Sequence, residues 1–503
     1  MFPSGRVNME VRVRYAPSPT GLQHIGGIRT ALFNYFFARS FGGKFVLRVE
    51  DTDRTRYSDE ALDDLYGTLD WLGIRWDEGP VVGGPYGPYI QSERYEIYRK
   101  YAQQLIDKGM AYYCFCSSER LDDLRREQED SHSSQQGYDR HCRNLSKEEI
   151  QAYLDKGIKP VVRLKVPEEG STTFHDVLMG DITRENKDIS PDPILLKSDG
   201  FPTYHLANVI DDHLMHITHI LRAQEWIPSG PLHVILYNAF GWEPPVYCHL
   251  PMVMGNDGHK LSKRHGSTSV RDFRDKGYLP EAIINYVTLV GWSLDGEKQF
   301  FSKYELEKVF SIEKINKAPG VFDYKKLDWF NGQYIREKDD KELAGLLIPY
   351  LDRENLLDGM SEDEKLNRVI AIVPLVKDRL KVLSDVCDIA RFIFKDPGTP
   401  EAKMLCAKGH TPQQELKALE MAYPIIKAGL LEGKADAAIE EELCELAPKL
   451  GIKVNGVFMP IRASVTGSQV SPPLFDSIRA LGYDDAFKRM ERGLEVLGST
   501  SAC

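Results

Sequence analysis

The N-terminal part of the chain alternates short apolar runs with amphipathic segments. Residues 11–15 alternate apolar and polar side chains and end at a loop rich in proline and glycine, which predicts a strand. Residues 27–41 carry apolar side chains at helical spacing until Gly42-Gly43 stops the helix. A second strand is predicted over 44–49 and a second helix over 58–72. This order predicts an α/β domain with a parallel sheet.

The remaining pattern divides into three parts. Residues 114–200 break the rhythm with grouped cysteines, a polar stretch and a strand-like run over 161–166, so we interpret them as an insertion. Residues 201–258 return to α/β character, and beyond about 272 the pattern is helical. The longer predicted helices cover 281–289, 304–310, 340–351, 363–383 and 412–431.

The composition is typical of a water-soluble protein with several domains. The 503 residues are 42% hydrophobic and 28% charged, and one core rarely serves so long a chain. Apolar stretches such as 282–294 are shorter than the roughly 20 residues that span a bilayer. The first ten residues lack an apolar signal region. We therefore expect a cytoplasmic protein with no membrane association.

The charge distribution bears on RNA binding, and the cysteine positions bear on disulfides and metal binding. The formal net charge is −11, but residues 1–57 hold nine Lys or Arg against four acids, so RNA binding on selected faces is not excluded. The eight cysteines are too scattered for a disulfide framework. Only Cys114, Cys116 and Cys142 form a group.

Two segments far apart in the sequence carry nucleotide chemistry. The first ends in His24-Ile25-Gly26-Gly27, between the first predicted strand and helix, where open α/β sheets bind nucleotides and helix N–H groups favour phosphate. The second is Lys260-Leu261-Ser262-Lys263-Arg264. Alone, the first could be a turn and the second a solvated basic loop. Together, in the predicted strand–loop–helix setting, they indicate ATP binding.

Activation of a carboxylic acid by ATP fits these residues. The carboxylate is already the nucleophile, so the protein must supply in-line placement and stabilise charge on the phosphates. His24 and Lys263 suit the catalytic role, and the N–H groups of Gly26 and Gly27 can approach a phosphate closely because glycine has no Cβ. Lys260 is a further ATP-binding candidate.

The two segments resemble the ATP signatures of class I aminoacyl-tRNA synthetases, and the chain as a whole resembles the bacterial glutamyl-tRNA synthetases. The segments that carry this second resemblance are 14–21, 29–35, 50–54, 196–200, 202–208, 222–226 and 322–329. The resemblance implies a Rossmann-like α/β catalytic domain with an inserted α+β acceptor-binding domain, followed by an all-α anticodon-binding half. The implied limits are 10–113 and 201–258 for the catalytic halves, 114–200 for the insertion, 259–335 for a stem-contact helical domain and 336–503 for the anticodon-binding domains.

The resemblance also implies the reaction. L-Glutamate and ATP, with Mg²⁺, would give glutamyl-adenylate and pyrophosphate. The glutamyl group would then pass to the 3′-terminal adenosine of tRNA(Glu), with tRNA(Gln) left open as a second acceptor. We expect a monomer.

Six glutamate-binding residues follow from the same resemblance: Arg14, Ser18, Glu50, Tyr204, Asn208 and Arg222. Arg14 and Arg222 would face the side-chain carboxylate, because arginine binds carboxylates with a planar fork of donors. Tyr204 and Asn208 would add hydrogen bonds. Glu50 and Ser18 would receive the α-amino group.

The grouped cysteines suggest a structural zinc site with an open question about the fourth ligand. Spacing alone favours three reduced thiols without metal, since Cys-x-Cys is an uncommon structural pair. The resemblance favours zinc, held by Cys114, Cys116, Cys142 and Tyr138. Some relatives place a histidine where this chain has Asn144, and His141 is chemically the more usual ligand.

The helical half should contact tRNA. By resemblance Arg379 reads the anticodon and Arg462 belongs to the last helical unit, where a structural role is equally plausible. Two related enzymes are alternatives, but a shortened tRNA-modifying relative lacks this half and a glutaminyl enzyme carries a β-barrel there. A paralogue without catalysis would have lost His24, Lys260 and Lys263.

Overall fold

The computed structural model describes residues 10–53, 55–131 and 136–501. These form two compact units. The first comprises residues up to 275 together with 280–324, and the second comprises 276–279 together with the chain from 325 onward. None of the described helices has the length and apolar character needed to cross a membrane.

All strands of the described chain lie in the first unit. They are β1 (Arg12–Tyr15), β2 (Lys44–Leu47), β3 (Ala111–Cys114), β4 (Val161–Leu164), β5 (Ser171–Asp176), β6 (Gly180–Glu185), β7 (Ile194–Leu196), β8 (His219–Ala223), β9 (Val246–Leu250), β10 (Val253–Met254) and β11 (Gly320–Val321). β1 pairs with β2, and β8 with β9, in parallel. Thr218 donates its N–H to the carbonyl of Arg12 (2.9 Å), so β8 begins beside β1. The prediction of a parallel sheet is confirmed.

Helices flank these strands in the first unit. They are α1 (Ile25–Ser40), α2 (Asp59–Trp71), α3 (Tyr95–Asp107), α4 (Ser118–Asp130), α5 (Lys147–Asp155), α6 (Tyr204–Leu214), α7 (Gly230–Phe240), α8 (Val270–Lys276), α9 (Pro280–Leu289) and α10 (Lys303–Val309). α1 is buried along nearly its whole length. Its Phe33 and Phe36 pack on Phe310, with ring centroids 5.2 and 6.1 Å apart.

One hairpin connects the predicted insertion to the main sheet. β5 and β6 pair antiparallel, and β5 also pairs in parallel with β9 at Asp176 and Tyr247. The resulting sheet has the order β6-β5-β9-β8. β3, β4 and β7 form a separate three-stranded sheet. Part of residues 114–200 therefore extends the sheet that carries the site described below.

The second unit is built from helices joined by loops, and none of its described residues lies in a strand. Its helices are α11 (Tyr324–Glu337), α12 (Asp340–Arg353), α13 (Glu362–Val376), α14 (Val386–Phe394), α15 (Ala402–Leu405), α16 (Pro412–Leu431), α17 (Asp436–Cys444), α18 (Leu446–Leu450), α19 (Val454–Thr466), α20 (Leu474–Leu481) and α21 (Tyr483–Ser501). The helix predicted over 363–383 is too long, because α13 ends at Val376. The Asp385 carboxylate accepts the N–H groups of Lys381 and Val382 (2.9 and 3.0 Å), so these two residues precede the next helical turn and do not continue α13.

Candidate active site

The loop between β1 and α1 has the geometry of a phosphate site. His24 is the N-cap of α1, and its Nδ1 accepts the N–H of Gly27 at 3.2 Å. The ring proton therefore belongs on Nε2, where it can be donated to a ligand. A Cβ on Gly27 would lie 3.0 Å from the Tyr15 hydroxyl, and one on Gly26 would lie 3.2 Å from the His24 ring. A side chain at either position would therefore crowd its neighbour.

Backbone pairing brings the two predicted ATP segments together. The N–H of Ile25 donates to the carbonyl of Thr268 (3.0 Å), and the N–H of Val270 donates to that of Gln23 (2.9 Å). Burial of the ring lowers the pKa of His24, and the nearby charge of Lys260 lowers it further. His24 is therefore a neutral donor at neutral pH.

Other contacts fix the second segment itself. Lys260 Nζ is 2.6 Å from Glu225 Oε2, and both side chains are exposed. His265 Nε2 and Arg264 Nη2 contact the Asp257 carboxylate at 2.9 and 3.1 Å. The predicted role of Lys263 falls on a side chain outside the described part of the structure.

Arg14 lies in a buried network of charges at the end of β1. Its Nε and Nη2 donate to the two oxygens of Asp212 at 3.0 and 3.3 Å. Arg48 donates to the same carboxylate (2.7 Å) and, through its other terminal nitrogen, to Glu50 (2.9 Å). Burial raises the pKa of Glu50, against the opposing charge of Arg48. Asp212 thus neutralises Arg14, and Arg48 holds Glu50.

Arg222 has a different environment. Its Nε donates to His249 (2.9 Å), its Nη1 to the Tyr204 hydroxyl (3.1 Å) and its Nη2 to the carbonyl of Trp226 (3.3 Å). All three partners are neutral, and within the described chain no carboxylate oxygen lies within 4.0 Å of this guanidinium. Arg222 is only 5% exposed, so its charge is buried without a countercharge. Such a site favours an anionic ligand.

The remaining predicted pocket residues surround the same place. Burial raises the pKa of Tyr204. The charges of Arg222 and Arg14 oppose this shift, and the charge of Glu50 adds to it. Asn208 is 2% exposed, and its Oδ1 has no hydrogen-bond partner among the described residues. Ser18 is exposed, and the hydrogen bond from Glu50 N–H to the Pro17 carbonyl (3.0 Å) keeps its loop beside Glu50. The predicted residues are thus brought together at one end of the sheet.

Known proteins match this chain along almost its whole length. The family described as tRNA synthetases class I (E and Q), catalytic domain, matches residues 10–329, and that described as anticodon binding domain matches 342–494. A glutamate–tRNA ligase of Treponema denticola is 56% identical over 505 residues, which cover 97% of this chain and 99% of that protein. The chain belongs to the glutamate–tRNA ligase family.

Other members of this family agree in sequence and in fold. The glutamate–tRNA ligase of Borreliella burgdorferi is 56% identical over 489 residues, covering 97% of this chain and 99% of that protein. A crystal structure of a glutamate tRNA ligase from Elizabethkingia meningosepticum, in complex with its amino acid, is 34% identical with a TM-score of 0.83, covering 97% of this chain and 100% of that one. The predicted family, fold class and ligase activity are confirmed.

Residues that sequence reasoning missed hold the pocket of this family member together. They are Arg48, Asp176, Asp212 and His249, all fully buried. The available signal was the pair Asp211-Asp212, which directly follows the apolar residues Val209-Ile210 and precedes Leu214-Met215. Acids on a buried helix must be paired, and here they face arginines from other elements.

The grouped cysteines also meet in space. The sulfurs of Cys114, Cys116 and Cys142 all lie within 4.8 Å of one another, and those of Cys116 and Cys142 are 3.6 Å apart. The Tyr138 hydroxyl is 3.3 Å from the first sulfur and 3.6 Å from the second. His141 is exposed and does not join this group.

The two arginines predicted to contact tRNA lie near each other in the second unit. Arg379 is exposed in a short 3-10 turn (Lys377–Arg379). Burial of Arg462 lowers the pKa of that arginine, and the nearby charge of Arg379 lowers it further. Arg462 Nη1 donates to the Ser471 hydroxyl (2.5 Å) and the Pro472 carbonyl (2.7 Å). These contacts give Arg462 a structural role in the turn before α20.

Proposed function

We propose that the pocket between Arg14 and Arg222 binds L-glutamate through its side-chain carboxylate. The observation that carries this proposal is the buried guanidinium of Arg222, whose described partners are all neutral. A carboxylate completes its charge balance, whereas the amide of glutamine leaves a buried charge poorly compensated. The Tyr204 hydroxyl, which accepts from Arg222, and the amide nitrogen of Asn208 would donate further hydrogen bonds to the carboxylate.

The α-amino group would lie at the other end of the pocket. Glu50 is held by Arg48 through one oxygen at 2.9 Å. An ammonium group bound to the remaining oxygen would favour the ionised form of Glu50 against the burial that raises its pKa. Ser18, on the neighbouring loop, would accept a second hydrogen bond. This orientation directs the α-carboxylate toward the start of α1.

Adenylate formation would then take place beside His24. An oxygen of the α-carboxylate attacks the α-phosphorus of ATP, the bond to the bridging oxygen breaks, and pyrophosphate leaves. His24 Nε2–H and the N–H groups at Gly26 and Gly27 would stabilise the phosphate charge, with Lys260 and Lys263 supplying cations. Magnesium bound to the phosphates would neutralise further charge. A ribose hydroxyl of the tRNA 3′ end next attacks the glutamyl carbonyl, and AMP leaves.

A structural zinc fits the cysteine group. In a tetrahedral site with zinc–sulfur bonds of about 2.3 Å, two sulfurs are about 3.8 Å apart, and a sulfur and an oxygen about 3.5 Å apart. The 3.6 Å between Cys116 and Cys142, and the 3.3 and 3.6 Å from Tyr138 to two sulfurs, support a ligand set of three thiolates and one phenol oxygen. Zinc would fix the loops of the insertion.

The helical unit would bind the anticodon of tRNA(Glu), with Arg379 in contact with the RNA and Arg462 supporting the neighbouring turn.

We further propose that the protein acts as a cytoplasmic monomer. Whether tRNA(Gln) is a second acceptor is decided by charging both purified tRNAs with labelled glutamate.

Pyrophosphate exchange tests the central proposal. With tRNA(Glu) present, we expect glutamate to support exchange of labelled pyrophosphate into ATP and glutamine to support far less. The assay is run with and without tRNA, so that a requirement for bound tRNA in the activation of glutamate is detected. Equal exchange with glutamine, or none with glutamate and tRNA, would overturn the proposal.

A further inference from the structure

A chain of three buried side chains leads from β5 to the pocket. Asp176 Oδ2 is 2.7 Å from His249 Nδ1, and His249 Nε2 is 2.9 Å from Arg222 Nε. Asp176 and His249 have no exposed side-chain surface. We propose that Asp176 and His249 are positioning residues that fix the Arg222 guanidinium for a carboxylate and so set the preference for glutamate over glutamine. This inference rests on the proposed role of Arg222.

The hydrogen bonds allow one arrangement of protons. Arginine only donates, so His249 Nε2 must carry a lone pair. The ring proton is then on Nδ1 and is donated to Asp176. The same Asp176 oxygen accepts the backbone N–H of His249 (2.8 Å), and the other accepts those of Leu178 and Met179 (2.9 Å each). Backbone groups thus anchor the carboxylate that orients the imidazole.

A neutral imidazole is well suited to hold an arginine that must bind an anion. A carboxylate in direct contact with Arg222 would compete with the substrate for the guanidinium donors, and Arg14 already has such a contact, with Asp212. His249 restrains the fork but adds no negative charge beside it. Burial lowers the pKa of His249 against the opposing effect of Asp176, with the charge of Arg222 also lowering it. The ring therefore stays neutral beside the cation.

The other described groups around Arg222 do not replace its contact with His249. Tyr204 and the Trp226 carbonyl hold the terminal nitrogens, and the Tyr247 ring lies 5.5 Å from the guanidinium carbon. His233 Nδ1 is 3.5 Å from Nη1, at the limit of a hydrogen bond. His249 alone among these described groups contacts Nε, the atom that sets the direction in which the fork points.

Two amide variants test separately the hydrogen bonds made by the two ring nitrogens of His249. In His249→Asn the amide nitrogen can replace Nδ1 and reach Asp176, but nothing reaches Arg222. In His249→Gln the longer side chain can present its oxygen to Arg222 Nε. We expect the KM for glutamate to rise about 10- to 100-fold in His249→Asn, as for a lost hydrogen bond to a charged group, and less than about 5-fold in His249→Gln. The kcat should change little in either variant, and the preference for glutamate over glutamine should fall only in His249→Asn.

His219→Gln is the matched control, because this histidine is also buried in the same parallel strand pair but lies three residues before Arg222. Its KM should stay at the wild-type value. Equal losses in His249→Asn and His249→Gln, or no loss in either, would overturn the inference. Arg222→Lys keeps the two proposals apart: a normal KM in that variant refutes the glutamate pocket itself.

A second measurement reads the protonation of the ring in the wild-type protein and uses a variant only to assign the signal. In the full-length protein with ¹⁵N-labelled histidine, the signal lost in His249→Gln identifies His249. We expect its shifts to show a neutral ring with the proton on Nδ1. A proton on Nε2, or an imidazolium at pH 7.5, would contradict the arrangement.

Discussion

Arg14 and Arg222 flank one pocket, yet their removal should affect stability unequally. Arg14→Met takes away both hydrogen bonds between that arginine and Asp212 and leaves the buried carboxylate with Arg48 alone (2.7 Å). Breaking a buried ion pair costs about 3–5 kcal/mol of the free energy of unfolding. Arg222→Met leaves only neutral groups unpaired, at about 1–3 kcal/mol. Methionine keeps the apolar stem in both variants.

The loss of activity in Arg222→Met should be large although its loss of stability is the smaller one. Arg222→Met removes a cation that would pair directly with the glutamate carboxylate, and two charged hydrogen bonds are together worth about 3–6 kcal/mol. At 1.36 kcal/mol per factor of ten, kcat/KM for glutamate should fall at least about 100-fold in a folded protein.

Thermal unfolding and tRNA-supported pyrophosphate exchange, measured on the same preparations, test both statements. Arg14→Met should unfold several degrees below Arg222→Met. An Arg222→Met protein with wild-type kcat/KM would remove this residue from the pocket. Equal unfolding temperatures would show that the charge of Asp212 is not what distinguishes the two arginines.

Three further expectations concern other parts of the molecule. Gly27→Ala should raise the KM for ATP, because its Cβ would lie 3.0 Å from a buried tyrosine hydroxyl, whereas Gly67→Ala, with nothing within 4 Å, should leave that KM unchanged. Tyr138→Phe should lower the zinc content of the purified protein and His141→Ala should not; less than about 0.2 equivalents of zinc in the wild type would reject the site, given the single metal expected for such a ligand set. Arg462→Ala should lower the unfolding temperature, since Ser471 and the following carbonyl lose their donor; an unchanged temperature would refute this structural role.

The sequence predicted the local elements of the α/β part well, because each has a signal within a few residues. The strand at 12–15, the loop before α1 and the helix itself follow from periodicity and glycines, and α16 occupies the predicted 412–431. By contrast α4 has only Leu121 and Leu124 as apolar side chains and fully buries neither, so its apolar face is too narrow to predict a helix.

Long-range pairings had no comparable signal. Asp212 contacts an arginine 198 positions earlier in the chain, and no spacing rule connects them. His249 is one histidine in an apolar strand, where an ordinary core position is the better guess. The fourth ligand of the cysteine group stayed open for the same reason, since only the fold brings Tyr138 to the thiols.

The pairing of β5 with β9 limits how this enzyme can be shortened. From the sequence, residues 114–200 would be removed as one separate insertion. However, β5 ends at Asp176, which holds His249 of β9 beside Arg222. A minimal protein that lacks the whole range would lose an edge of the sheet β6-β5-β9-β8 together with the carboxylate that holds His249 beside Arg222. Shortening must retain the hairpin 171–185, and domain exchange between relatives should place its junctions outside it.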